Sequence, residues 1–345
     1  MTHAIDKAPS QMRPSMDMKT AVMVMTSLLF CACDDGGGNT NHLDAGEGSD
    51  GGGNGVACST TMDLAAGSAY TDYTVMASQV FSGTATAYEW SVTSDSPCDR
   101  VLKANDGKPY SPTGDTTASL TFRPTLPGDY TIALKATTAS GMVTACGKMK
   151  VTAPGLRVEL CSDGTQQTDI DLHVHRPGTT AAWFSATDDC FFNNCIAQGN
   201  RVNWGLATSA IGACSKSPNG SSYTPGGNCP NPRMDSDTLD FREFESTSID
   251  NPPSGMPIRV MAHYYGGSST AIHPVVAIYC NGTRKAVYGA GADQVMGFNK
   301  PGGLNAGSMW RVADVTMNGT DCTVTPLHPP NASTGYFVTT DDPAY

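Results

Sequence analysis

An uninterrupted alternation of apolar and polar residues runs from Thr168 to Pro177, in the order T-D-I-D-L-H-V-H-R-P. Successive side chains of a β-strand point to opposite faces, so the pattern predicts a strand whose buried face carries Ile170, Leu172 and Val174. A fold that contains this stretch is therefore expected to have a β-sheet with a hydrophobic core on one side.

The opposite face of the same strand would carry Asp169, Asp171, His173 and His175. Neighbouring polar side chains would stand about 7 Å apart, because a strand rises about 3.3 Å per residue. Two interpretations fit this face. It is the solvated side of an antiparallel sheet, or it is a cation or ligand site in which His173 and His175 form the ligand-facing surface.

Composition limits the fold class and the compartment. The 345 residues include 37 Gly and 22 Pro, only 15% are charged, and no long segment has apolar residues at helical spacing. The net charge of −11 argues against nucleic acid as a partner, because phosphate neutralisation needs basic side chains. The 12 cysteines lack the paired C-x-x-C spacing of a zinc site and indicate disulfides in an oxidising compartment.

Near the N-terminus, a basic start is followed by an apolar run over residues 21–30 and then by L-F-C-A-C, which ends at Cys33. The run is shorter than the roughly 20 residues that span a bilayer as a helix. This arrangement resembles a bacterial lipoprotein signal, which implies lipidation of Cys33 and a leader over residues 1–32 with Met18 as the expected start. The alternative is an ordinary cleaved signal that leaves Cys33 unmodified.

Residues 33–55 are rich in Gly, Asn and Asp and contain one Leu and no aromatic residue. Such a segment cannot bury a core, and it predicts a flexible acidic tether with a root-mean-square span of roughly 25 Å. The tether would hold a folded part away from a membrane surface.

Residues 56–153 have turn signals every eight to twelve residues, which is typical of a β-sandwich. The strand Y-E-W-S-V around Trp90, the corner F-x-P-x-x-P-G-x-Y that ends at Tyr130, and a closing strand up to Val151 resemble a PKD domain, an immunoglobulin-like module. The resemblance implies a spacer or a partner-binding module. Trp90 and Tyr130 are expected in its core.

Residues 155–327 are expected to form a second β-sandwich, with an insertion over 196–232 and a C-terminal tail over 328–345. The pieces L-R-V-E-L, D-I-D-L-H, D-C-F-F, H-Y-Y and W-R-V-A-D-V-T occur in this order. They resemble a β-sandwich module found beside PKD-like domains in predicted lipoproteins of myxobacteria and their relatives. That family has no established activity, so the resemblance implies a fold and a location in the cell envelope.

Ten cysteines lie beyond Cys31 and Cys33 and predict five disulfides. The clearest pairs are Cys214–Cys229 within the insertion and Cys280–Cys322 across neighbouring strands. Cys58–Cys146 is expected to join the first strand of the domain over residues 56–153 to its last. The other cysteines leave alternatives open: Cys161, Cys190 and Cys195 compete for a bridge, and one of them pairs with Cys98 or stays free.

Enzyme motifs are absent from the sequence. It contains no H-E-x-x-H, no G-x-S-x-G, no G-x-x-x-x-G-K and no G-x-G-x-x-G that opens a helix. His173 and His175 have a spacing that some metal hydrolases use, but the companion His, Asp and Lys elements are missing. A protein without enzymatic activity is expected. The alternative is a metal-dependent hydrolase that uses Asp169, Asp171, His173 and His175.

Acidic residues recur after the predicted strands, and in the resembling family these acidic stretches occur together, which implies that they meet at one edge of the sandwich. Ca²⁺, which takes six to eight oxygen ligands, is the one candidate cofactor. Its ligands would be Asp169, Asp171, Asp189, Asp235 and Asp237. The alternative is a set of structural aspartates that accept hydrogen bonds from loop amides and from His173.

Together these observations predict a lipid-anchored protein of the cell envelope, on the cell surface or the periplasmic face, without enzymatic activity. Its partners would be the membrane, through the N-terminal lipid, and a glycan or surface protein that the β-sandwiches recognise. A purely structural component of the envelope is the remaining alternative.

Overall fold

Short runs of alternating residues form strands throughout the described part of the chain, and the all-β prediction is confirmed. The computed structural model describes residues 57–104, 110, 112–164, 168–196, 202–207, 230–236 and 244–345. The predicted leader, the tether and Cys33 lie outside these residues, as do Asp237 and the predicted pair Cys214–Cys229. No helix in the described ranges is long and apolar enough to cross a bilayer.

The N-terminal sandwich, residues 57–153, contains seven strands and two short helices in its described residues. These elements are β1 (Thr60–Asp63), β2 (Gly67–Ser68), β3 (Tyr73–Met76), α1 (Ala77–Val80), β4 (Ala87–Ser94), α2 (Pro97–Ala104), β5 (Ser119–Phe122), β6 (Gly128–Thr138) and β7 (Gly141–Thr152). One sheet has the order β1-β7-β6-β4, with β2 also beside β7, and β3 pairs with β5 separately.

Trp90 and Tyr130 lie in the core of this sandwich, as the sequence predicts. The hydroxyl of the fully buried Tyr130 donates a hydrogen bond of 2.6 Å to the carbonyl oxygen of Leu126. Gly128 lies between them with a φ of 136°, and a Cβ atom there would stand 2.3 Å from Asp95 Oδ1. The chain can therefore turn into β6 only with glycine at this position.

The C-terminal sandwich, residues 155–345, contains eleven strands in the described residues. They are β8 (Leu156–Ser162), β9 (Asp169–His175), β10 (Asp189–Cys190), β11 (Arg233–Ser236), β12 (Glu245–Ile249), β13 (Pro257–Gly266), β14 (Pro274–Cys280), β15 (Thr283–Tyr288), β16 (Ser308–Asn318), β17 (Asp321–Pro326) and β18 (Phe337–Thr340). One sheet has the order β11-β12-β8-β14-β15. The other has the order β10-β9-β13-β16-β17, with β18 also paired to β16.

The core of the C-terminal sandwich follows directly from the alternation in β8 and β9. Leu156, Val158 and Leu160 of β8 and the three apolar residues of β9 belong to one buried cluster. Every residue of β8 is buried, and so is every residue of β9 after Asp169. The outer faces of both strands are therefore covered by other parts of the molecule.

Residues 328–345 are part of the fold rather than a tail. They contain β18, which pairs with β16 from Arg311↔Phe337 to Ser308↔Thr340. Beyond β18, the carbonyl oxygens of Asp342 and Ala344 accept hydrogen bonds from the buried Arg311 guanidinium, at 2.8 and 2.6 Å.

Four disulfides are present among the described residues. The structure joins the predicted pairs Cys58–Cys146 and Cys280–Cys322, and the open alternatives become Cys98–Cys161 and Cys190–Cys195. The Cys98–Cys161 bridge connects the N-terminal sandwich to β8, with 5.7 Å between the two Cα atoms.

We expect Tyr130→Phe to lower the free energy of unfolding by about 1 to 2 kcal/mol, because it removes one buried hydrogen bond and leaves the Leu126 carbonyl without that donor. Urea denaturation at neutral pH measures the loss. The control Tyr88→Phe removes the hydroxyl of a half-buried tyrosine in β4 and should cost less than about 0.5 kcal/mol. Equal losses in the two variants would contradict the role given to this hydrogen bond.

Candidate functional site

β9 and β13 are neighbouring antiparallel strands, and their register sets which side chains lie next to each other on the outer face of the sheet. Asp171 pairs with His263 and His173 pairs with Met261, so these four side chains lie on one side of the sheet. On the next strand, β16, Met309 is the partner of His263. The sheet therefore presents a carboxylate, two imidazoles and two thioethers on one surface.

This surface lies beneath two segments that we call the covering layer, residues 176–196 and 337–345. Trp183 packs against Met261 and Met309, and its backbone N–H donates a hydrogen bond of 2.9 Å to the carbonyl oxygen of Pro343. The expectation that the polar face of β9 is solvated is thus corrected. His173 and His175 have exposed fractions of 0%, because the covering layer excludes water from them.

Asp171, His173 and His263 form the centre of the site. One potential ligand atom from each residue lies within 4.8 Å of the others. All three side chains are fully buried. His263 Nδ1 lies 3.7 Å from Asp171 Oδ2, which is beyond the length of a hydrogen bond.

In both His173 and His263, one ring nitrogen donates a hydrogen bond to an oxygen acceptor. His173 Nδ1–H donates to Asp189 Oδ2 at 2.7 Å, and His263 Nε2–H donates to the Ala306 carbonyl at 2.6 Å. Asp189 Oδ2 also accepts a hydrogen bond of 2.8 Å from the backbone N–H of Phe184. These bonds set the tautomer of each ring, so the lone pairs of His173 Nε2 and His263 Nδ1 remain available.

His175 is held differently, between aromatic rings of the covering layer. Its ring stacks on Trp183 with 3.6 Å between centroids and lies nearly parallel to Tyr345, with 5.5 Å between centroids. Burial lowers the pKa of His175 to about 4, and the neighbouring carboxylate of Asp189 only partly opposes this effect. His175 is therefore a neutral, packed ring at physiological pH.

Asp235 lies away from this cluster, on the outer face of the other sheet. Its carboxylate accepts hydrogen bonds from Arg157 Nη1 at 3.1 Å and from Arg233 Nε at 2.8 Å, and another from the Ser248 hydroxyl. The expected meeting of five aspartates at one edge is therefore corrected for Asp235, because two buried guanidinium groups compensate its charge. Asp169 lies opposite Gly266 at the start of β9, and Asp189 is the partner of His173.

Arg157 connects the two sandwiches within the compact unit Glu47–Tyr345. Its guanidinium donates to the Tyr70 hydroxyl at 3.0 Å and to the Thr125 carbonyl at 2.8 Å, and it pairs with Glu159 at 3.0 Å. Burial alone would lower the pKa of Arg157, but Tyr70, Glu159 and Asp235 raise it overall. The charge on Arg157 is thus shared among several acceptors.

Glu159 is fully buried at this joint, where its Oε2 accepts a hydrogen bond of 3.4 Å from the Ser96 hydroxyl. Burial raises the pKa of Glu159 to about 7, and Arg157 only partly opposes the effect. Burial outweighs the attraction of Arg157 because Asp235 also interacts with that guanidinium.

His263 is the residue that sequence reasoning missed. It lies in the H-Y-Y run of β13, where Met261 and His263 alternate with buried apolar residues just as the polar residues of β9 do. That alternation was visible in the sequence, but the pairing of β13 with β9 was not.

Comparisons with known proteins give no family for the chain. No family model and no curated protein matches it. Two solved structures match, both of titin Z1Z2 domains. The first, a chimeric titin Z1Z2 functionalised with a KLER exogenous peptide from decorin, has 16% identity and a TM-score of 0.15, and the match covers 62% of this chain and 89% of that one. The second, the titin domains in complex with telethonin, has 15% identity and a TM-score of 0.15, with 62% and 88% covered.

The raised pKa of Glu159 predicts a pH dependence of stability. The folded-state pKa lies above the ordinary value of 4.5, so the stabilisation from the neutral carboxyl is complete below pH 4.5 and is lost as the pH rises through about 7. We expect the free energy of unfolding to fall between pH 5 and pH 8 by roughly 2 kcal/mol more in the wild type than in Glu159→Gln.

Urea denaturation of both proteins at the two pH values measures this difference. Glu89→Gln is the matched control, because Glu89 pairs with Lys135 on the exposed face of β4, and it should retain the wild-type pH dependence. Identical pH dependence in the wild type and Glu159→Gln would show that Arg157 keeps the carboxylate ionised throughout this range.

Proposed function

We propose that the protein is a lipid-anchored component of the cell envelope without enzymatic activity, which presents two rigidly joined β-sandwiches for adhesion or for recognition of a glycan or protein. The observation that carries this proposal is the set of four disulfides among the described residues, including the bridge between the sandwiches. Reducing compartments do not maintain such bridges, so the disulfides support export from the cytosol.

The contacts between the two sandwiches support a role in presenting a binding surface. Cys98 and Cys161 are buried with Leu126, Phe244 and Val275 in a small apolar cluster beside the Arg157 contacts. A covalent bond, apolar packing and the hydrogen bonds of Arg157 to Tyr70 and Thr125 together restrict hinge motion between the sandwiches. A surface that spans both sandwiches would keep its shape without a partner, which reduces the entropy cost of binding.

The burial of the candidate site supports the absence of catalysis. A catalytic metal centre keeps one coordination position open to substrate. Here Asp171, His173 and His263 are fully buried beneath Trp183 and the rest of the covering layer. A hydrolase that used this face would first have to displace that layer.

Fatty-acid labelling in the producing bacterium tests the anchor. An alkyne-labelled fatty acid should be incorporated into the wild type and into Cys31→Ala, because the lipoprotein resemblance places the modification at Cys33. Cys33→Ala should lose the label. A mature wild-type protein that is unlabelled and soluble would support the ordinary cleaved signal instead, and a cytoplasmic protein would refute the proposal as a whole.

A broad screen of ester and glycan substrates with added divalent metals tests the absence of catalysis. We expect no turnover above the rate of an Asp171→Ala control. Metal-dependent turnover that this substitution abolishes would favour the hydrolase. Binding of the purified protein to an envelope glycan or surface protein would distinguish recognition from a purely structural role.

A further inference from the structure

We propose that Asp171, His173 and His263 bind one divalent transition-metal ion of the Zn²⁺ class in a closed, structural site. Both unpaired carboxylate oxygens of Asp171 would bind together with the two imidazole nitrogens, which completes the four donor atoms of such a site. The site is independent of the lipid anchor and of any recognition surface. The inference rests on the arrangement of donor atoms on β9 and β13, on the partners of the two imidazoles, and on the burial of a carboxylate without a hydrogen-bond donor.

The donor set favours a transition metal. Two imidazole nitrogens and a carboxylate suit Zn²⁺ and its neighbours, whereas Ca²⁺ takes six to eight oxygen ligands. Ligand atoms about 2.1 Å from a tetrahedral ion stand roughly 3.4 Å apart, so atoms that lie within 4.8 Å of one another must close by at most about 1.4 Å. Rotations of buried side chains can supply a movement of this size.

The partners of the imidazoles match those of metal-bound histidines. A metal-bound histidine usually donates its second ring N–H to a carboxylate or a backbone carbonyl, which orients the ring and makes the ligand nitrogen more basic. His173 donates to the carboxylate of Asp189, and His263 donates to the carbonyl of Ala306. Both free ring nitrogens, His173 Nε2 and His263 Nδ1, are buried without a hydrogen-bond partner.

The carboxylate of Asp171 supplies the electrostatic argument. Both of its oxygens are buried and lack hydrogen-bond donors. Among the described residues, its nearest ion-pair partner is His263 at 3.7 Å, and no arginine or lysine pairs with it. An isolated buried carboxylate is strongly disfavoured, and a divalent ion that binds Asp171 would compensate its charge.

The aromatic and thioether walls make the site closed. Trp183, Met261 and Met309 form one buried cluster with Phe184 packed against it, and Phe184 lies edge-on to both imidazoles. Asp189 belongs to the covering layer and accepts a hydrogen bond from His173 Nδ1. An ion on His173 Nε2 would polarise this N–H and strengthen the bond between the layer and the sheet. Binding is therefore coupled to folding, and the ion is expected to enter as the chain folds.

The test uses the purified full chain with its disulfides left oxidised. The protein is unfolded in guanidinium with chelator and refolded with Zn²⁺, with Co²⁺, with Ca²⁺ or without metal. Metal analysis after gel filtration should find close to one Zn²⁺ per chain, and the melting temperature should rise by several degrees over that of the metal-free protein. The Co²⁺ form should show d–d bands of a nitrogen and oxygen site without a thiolate charge-transfer band.

Four variants locate the ion. His173→Gln and His263→Gln should lose it, with refolding checked by near-ultraviolet circular dichroism. Asp189→Asn should still bind the ion with a dissociation constant about 10- to 100-fold higher, because only the orientation and basicity of His173 change. His273→Gln is the matched control, since His273 forms a surface pair with Asp163 at 2.6 Å, and it should retain the wild-type metal content.

The wild type alone can overturn the proposal, whatever the variants do. Refolding with Zn²⁺ that leaves no bound ion and no change in melting temperature would show a polar cluster without a metal. Stabilisation by Ca²⁺ but not by Zn²⁺, or a thiolate band in the Co²⁺ form, would also refute it. An ion retained in both His173→Gln and His263→Gln would lie elsewhere in the chain.

Discussion

Ionisable side chains on the outer faces of β8 and β9 are removed from water, and the rest of the structure depends on how this desolvation is offset. Both strands contribute apolar residues to one core and polar residues to the opposite side. A strand buried on both faces needs a second partner besides the sheet that it packs against in the core. For β8 that partner is the N-terminal sandwich, and for β9 it is the covering layer.

The two strands offset the cost in different ways. On β8, Glu159 lies beside the guanidinium of Arg157. On β11, Asp235 lies between Arg157 and Arg233, so both buried carboxyl groups have a counter-charge nearby. On β9, Asp171 has only imidazoles as ionisable partners among the described residues. The charges on the β8 face therefore compensate one another within the protein. The β9 face, in contrast, has the properties of a ligand set.

The sequence was sufficient to predict strands with a clear alternation such as β8 and β9 and the side of each that faces the core, because a two-residue period is a local property. It could not predict what covers the polar side. His173 and His175 would alternate in the same way beneath water or beneath Trp183, so the choice depends on tertiary packing. The C-terminal residues resemble a tail in composition, yet Arg311 and Arg259 hold them in place, the latter with its guanidinium 3.8 Å from the centroid of the Tyr345 ring.

The bridge Cys58–Cys146 has a mechanical consequence. A pull on the chain before Cys58 would pass through the disulfide directly to Cys146, on the long strand β7 in the middle of its sheet. The intervening chain, with a sequence separation of 88, would carry no tension. Fully extended, it would have added roughly 300 Å of length at about 3.4 Å per residue. The N-terminal sandwich would therefore lengthen little when the chain is stretched, and it would transmit the force to the rest of the chain.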